Sequence, residues 1–281
     1  MKQEGSPGSP LPLEAQTYYA AEVELDRLSL GTGQLEFVRS QEILSRYLPA
    51  PPAVIFDVGG GPGRYAYWLA GQGHTVHLID GASVHIEQAR QAATREPVPP
   101  LASLCVGDAR QLDVADVSAD AVLLMGPLYH LTERPDRVAA LREARRILKP
   151  DGLVFACAIS RFTSALDGLV SGYLDDPEFV RIVQRDLVDG QHRNPKNHPA
   201  YFTTTFFHHP AELQQEMEEA GLRHEATLPV EGPAWLLGNF ADQWSDLTRR
   251  DRLLTTIRWL ESEPSLLGVS AHLLAIGRKG R

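Results

Sequence analysis

Five stretches of this chain are apolar over successive positions and stop at polar or glycine residues: 54–58, 74–80, 101–106, 119–125 and 153–159. Near-continuous apolar runs of this length fit strands that are covered on both faces, as in a parallel sheet. Helical spacing fills the gaps. Arg64 to Ala70 is helix-compatible, and Glu133 to Leu148 closes at Lys149, Pro150, Asp151 and Gly152, a stop signal of cation, proline and glycine. Strand and helix therefore alternate, which predicts an α/β architecture. Further along, Tyr201 to Phe207 is β-prone, and Pro210 to Gly221 is an amphipathic helix with proline at its start and glycine at its end. Leu222 to Val230 supplies a sixth strand, Phe240 to Glu261 one or two helices, and Ser270 to Ile276 a last strand.

The first apolar run holds Asp57 near its end, and four of the five positions 59–63 are glycine. Glycines without Cβ let a chain turn tightly while a ligand approaches the main chain. The second run closes on Asp80. A dinucleotide turn of the form Gly-x-Gly-x-x-Gly does not fit, because counting from Gly59 meets Arg64 and counting from Gly61 meets Ala66. The sequence instead reads acid-x-Gly-x-Gly-x-Gly, carried by Asp57, Gly59, Gly61 and Gly63.

In this motif, and in the strands from Val54 to Ile159, the chain resembles the class I S-adenosylmethionine-dependent methyltransferases. The resemblance implies a Rossmann-like, seven-stranded, mostly parallel sheet with helices on both faces and a last strand that runs antiparallel. S-adenosylmethionine is the implied cofactor: the glycine turn lies against its methionine half, and Asp80, followed by Gly81, accepts hydrogen bonds from both ribose hydroxyls. Asp108 and Ala109 after the third strand are implied at the adenine, and Met125 and Gly126 at the fourth strand's tip. Methyl transfer from a sulfonium needs no general acid, only an aligned, unprotonated nucleophile. Tyr129 and His130 are the first catalytic candidates, with His130 as a possible base. A nicotinamide-dependent oxidoreductase and a non-catalytic cofactor-binding regulator are the alternatives; the glycine register disfavours the first.

Composition narrows the partners. The 281 residues carry a formal net charge of -9 and a pI near 5.6, a field that repels phosphate backbones. A small-molecule substrate is expected and nucleic acid is not, and the absence of an Asn-Pro-Pro-Tyr strand end points the same way. Arg142, Arg145 and Arg146 read as a solvated face at a helix C-terminus. The two cysteines, Cys105 and Cys157, fall in strands expected to be buried and suit small apolar fillers. No run of ~18 apolar residues or leader pattern occurs, so a cytoplasmic chain without membrane contact is expected. The oligomeric state stays open.

Residues 1–12 are expected to be a disordered tail and 13–50 a helical lid broken at Leu30 to Gly33. Tyr18 and Tyr19 are placed there to touch the cofactor, and Arg27 or Arg39 to pair with its carboxylate. Residues 51–160 form the cofactor-binding half, 161–200 a cap inserted after the fifth strand, and 201–281 the rest of the core. Ligands bind beyond the C-terminal strand ends of open α/β sheets, so the cap is the natural place for substrate. His208, Glu231 and Trp235 are the substrate candidates. His192, His198, His208 and His209 lack the spacing of a recognised metal site, and no metal is expected.

Overall fold

The computed structural model describes residues 27–95 and 98–281; the expected tail, Tyr18 and Tyr19 lie outside them. In chain order the elements are α1 Gly33–Tyr47, β1 Val54–Val58, α2 Arg64–Gly71, β2 Thr75–Asp80, α3 Ser83–Arg95, β3 Ser103–Val106 and β4 Ala119–Leu124. There follow α4 Pro127–His130, α5 Arg134–Ile147, β5 Leu148–Ser160, α6 Thr163–Ser171, α7 Pro177–Asp189, β6 Gln191–His192 and β7 Thr205–His208. The chain closes with α8 Pro210–Glu219, β8 Leu222–Pro229, α9 Phe240–Ser245, α10 Leu247–Leu260 and β9 His272–Lys279.

Seven strands take the expected places, in the order β3-β2-β1-β4-β5-β9-β8. β3-β2-β1-β4-β5 pair in parallel, and β9 runs antiparallel to both β5 and β8. The expected seven become nine among the described residues, because β7 pairs with the last two residues of β5, beyond the reach of β4, and β6 pairs with β7. Alternation along the strands divides the core. Val154, Ala156 and Ala158 of β5 meet α5 and α8 on one face, while Leu153, Phe155 and Cys157 meet α1, α2 and α3 on the other.

α1 is embedded rather than laid over the cleft. Ile43 and Leu44 pack on the sheet and Leu35 on α9 and α10, all fully buried. Arg39, one turn after Leu35 and 1% exposed, donates to the Val230 carbonyl at 3.2 Å and to Glu261. It braces the C-terminal helices and is not at the cofactor cleft. Cys157 is buried as expected, but Cys105 is exposed, because β3 is the edge strand of the sheet. Arg142, Arg145 and Arg146 behave as a solvated face: Arg146 pairs with Glu143 and Asp116, and Arg145 donates to the Gly221 carbonyl. No helix among the described residues is long and apolar enough to cross a membrane.

Candidate active site

The parallel strands end at a cleft whose floor is the glycine turn between β1 and α2. Gly59 and Gly61 stand in the left-handed region at φ 69° and 57°. A Cβ on Gly59 would lie 2.6 Å from Cδ of Pro127, so the turn and the start of α4 meet as backbone against ring. A Cβ on Gly61 would meet nothing within 4 Å; its space is open. Asp80 at the tip of β2 fixes this turn, since its Oδ2 accepts from the Gly61 N–H at 2.8 Å. Its Oδ1 accepts from the Ala82 N–H at 2.8 Å and lies 2.9 Å from Nδ1 of His85.

The cleft wall gathers Arg27, Gly59, Gly61, Asp80, Gly81, Asp108, Ala109, Met125, Gly126, Tyr129 and His130, all of which the sequence proposed for the site. Two other proposed residues stand behind it. Gly63, φ 87°, is the N-cap of α2, and Asp57 lies fully buried beneath the turn. Neither oxygen of Asp57 has a hydrogen-bond partner among the described residues. Burial, and then the Asp80 charge, push its carboxyl up to about 7 against a weak pull from the Ala66 N–H. A Cβ on Gly60 would sit 2.4 Å from Asp57 Oδ2. Asp57 therefore shapes the turn from below rather than contacting a ligand.

The residues fit an adenosine carrying a charged amino-acid tail. Leu28, Tyr65, Met125 and Leu131 give apolar wall, while Asp80, Asp108, Arg27 and Arg64 give charge of both signs. One detail differs from expectation. A carboxylate offers about four lone-pair sites, and Asp80 already uses three of them on Gly61, Ala82 and His85. One site is free for a ribose hydroxyl rather than two. Asp108 is likewise engaged, its two oxygens held by Arg110, which outweighs burial and keeps the carboxyl below its ordinary range. His85, Leu28, Arg64 and Tyr65 were missed in the sequence; His85 sits five residues beyond Asp80, a spacing that only the turn into α3 brings to the acid.

His130 lies on the wall, as the sequence proposed. Burial, then the neighbouring His85 and Arg27, lower its pKa to about 3, although Asp80 pulls the other way. Such a shift favours the neutral imidazole and weakens it as a proton acceptor. His130→Gln is expected to leave the shape of the pH–rate profile between about pH 6 and pH 8 unchanged; loss of an ionisation in that range would restore the base role.

A second compartment lies under the cap and shares Tyr129 and Arg27 with the cleft. Its rings are Tyr129, Phe179, Tyr201, Phe202 and Phe207, and Ser164, Asp167, His192 and His272 are its polar edge. His208 is absent from it, which corrects the sequence reading. Strand alternation turns Phe207 inward and His208 away, where its Nε2 lies 3.2 Å from Glu216 in a fully buried position. Glu231 and Trp235 are also displaced, lining a separate pocket beside Leu30 to Gly33. Trp235 Nε1 donates to the Val269 carbonyl, a loop contact. Glu231, 2% exposed, holds His272 through Nδ1 at 2.6 Å and accepts from Ser270 Oγ at 2.8 Å. Glu36, Glu231 and His272 form a group of three possible ligands, but Arg27 already pairs with Glu36 at 3.0 Å. Burial opposes a charge on His272, yet Glu36 and Glu231 outweigh it and raise the pKa to about 9. Arg27 and His272 thus already face these two carboxylates.

Comparison with known proteins places this geometry. Residues 56–156 match the family described as "Methyltransferase domain". The ubiquinone/menaquinone biosynthesis C-methyltransferase UbiE of Acidiphilium cryptum is 32% identical over 141 residues, 50% of this chain and 54% of that protein. A ubiquinone biosynthesis O-methyltransferase of Xanthomonas axonopodis pv. citri is 29% identical over 67% of this chain and 70% of its own length. A solved S-adenosylmethionine-dependent methyltransferase from Methanosarcina mazei overlays with a TM-score of 0.58 at 17% identity, covering 85% of this chain and 97% of that one. The chain spans about half the length, or less, of the first curated relatives it matches. Residues 56–156 thus carry a methyltransferase domain, and the chain shares the fold of a solved S-adenosylmethionine-dependent methyltransferase. S-adenosylmethionine is the cofactor of such methyltransferases.

Proposed function

We propose that this chain transfers a methyl group from S-adenosylmethionine to a small molecule held in the compartment under the cap. One observation carries the reading: Tyr129 and Arg27 line both spaces, so a ligand in the cleft and one in the compartment meet across them. When bound, the cofactor supplies an electrophilic sulfonium methyl and leaves as a neutral thioether. The work left to the protein is alignment and exclusion of water. Asp80, Gly61 and Met125 hold the cofactor; Tyr129 and Phe207 flank the acceptor. Two of the relatives are named for ubiquinone or menaquinone biosynthesis, and a quinone precursor is an acceptor that an aromatic compartment suits.

S-adenosylhomocysteine at one hundred times its dissociation constant is expected to stabilise the protein by about 2.7 kcal/mol, while NADH gives much less. Thermal unfolding with each ligand checks this, followed by a screen of acceptors for production of S-adenosylhomocysteine. Stronger stabilisation by NADH would move the chain to the oxidoreductases.

A further inference from the structure

We propose that the compartment under the cap takes a flat aromatic hydroxyl compound and that His192, held by Asp186, accepts the hydroxyl proton; the proposal rests on the methyl-transfer reading above. His192 is the second residue of β6, 2% exposed, and its Nδ1 lies 2.8 Å from Oδ2 of the fully buried Asp186. The chain reaches this arrangement through Gly190, φ 72°, which caps α7. A Cβ there would lie 2.3 Å from the Phe207 carbonyl, so glycine is needed for β6 to return along β7. The imidazole then stacks on Phe207, with centroids 4.7 Å apart and planes 15° apart.

A carboxylate can only accept at Nδ1, so the Nδ1–H tautomer is fixed and Nε2 carries the lone pair. Nε2 is buried and has no hydrogen-bond partner among the described residues, and the same holds for Ser164 Oγ on the same wall. Buried polar atoms without partners are rare in native proteins; unlike the oxygens of Asp57, which lie beneath the glycine turn, these two belong to residues that line an open compartment. The remaining titratable or charged groups on the wall are Arg27, Asp167, His272, Tyr129 and Tyr201. Among the charged side chains of the described residues, Asp186 is the one that pairs with His192.

The step balances without a further reactant: the oxygen–hydrogen bond of the phenol breaks, its electron pair stays on oxygen, and the proton forms a bond to Nε2. The resulting phenolate is nucleophilic at oxygen and at the ring carbons beside it. Attack by the phenolate oxygen on the sulfonium methyl then needs no further proton transfer, whereas attack by a ring carbon also releases that carbon's proton. A positioned base contributes about 10²- to 10⁴-fold, and Asp186 acts as its positioning residue.

The probe is 4-nitrophenol, whose phenolate absorbs at longer wavelength than the phenol, titrated into the full chain saturated with S-adenosylhomocysteine at a pH where the free probe is mostly protonated. The wild type is expected to develop a saturable phenolate band. His192→Gln should bind the probe without the band, and Asp186→Asn, as a second variant, should bind it with a weaker one. Binding without the band in the wild type, a band that persists in His192→Gln, or no binding of the phenol would each overturn the proposal. Calorimetry with S-adenosylhomocysteine is run first. Its failure overturns the methyl-transfer reading, whereas cofactor binding with a negative phenol result overturns this proposal alone.

Discussion

Asp80→Ala is expected to weaken S-adenosylhomocysteine binding by at least about tenfold. The carboxylate has one lone-pair site left for the ligand after Gly61, Ala82 and His85 are served. A hydrogen bond to a charged group contributes about 1.5 to 3 kcal/mol, and 1.4 kcal/mol is one decade in affinity. The loss extends beyond that bond, since the Gly61 N–H would lose the acceptor that orders the glycine turn. Calorimetry on the variant checks the affinity. Wild-type affinity would mean that the cofactor does not lie along β2.

Removal of Glu216 is expected to have the largest effect on stability. Glu216 and Arg137 are 0% and 2% exposed and meet at 2.7 Å, with His208 at 3.2 Å on the other oxygen. Burial opposes the charge on Glu216, but His208 and Arg137 together hold its carboxyl below the ordinary range. Breaking a buried pair by removing one partner costs about 3–5 kcal/mol, whereas replacing both with apolar groups is often neutral. Glu216→Ala should therefore lower the melting temperature by about 6–20 °C at roughly 2–4 °C per kcal/mol. The double variant Arg137→Met, Glu216→Leu should recover most of it; a small loss in the single variant would contradict this account. Arg137 also lies 3.6 Å from the Phe206 ring and bonds the Leu131 and Thr132 carbonyls. The pair thus holds β7, and with it the ribbon that carries His192, against the core.

Much of the site was legible because it is local. The glycine turn, Asp80, Asp108 and Met125 sit at the ends of apolar runs, where strand, turn and ligand follow one another within a few residues. Strand parity was available too, but the β-prone segment 201–207 did not reveal that Phe207 pairs with Ile159, which turns His208 away from the cleft. Of the two arginines proposed for the cofactor, Arg27 lines the cleft and Arg39 does not, because the i, i+4 spacing of Leu35 and Arg39 does not tell an arginine over the cofactor from one that braces Glu261. The Asp186–His192 pair was illegible. It spans a helix end, a left-handed glycine and a two-residue strand, and only the pairing of β6 with β7 brings the two side chains together.

The most direct measurement is calorimetric titration of S-adenosylhomocysteine into the full chain, with NADH as competitor. The account predicts one saturable site per chain, displaced by S-adenosylmethionine and unaffected by NADH. An absence of binding, or displacement by NADH at lower concentration than by S-adenosylmethionine, would contradict it.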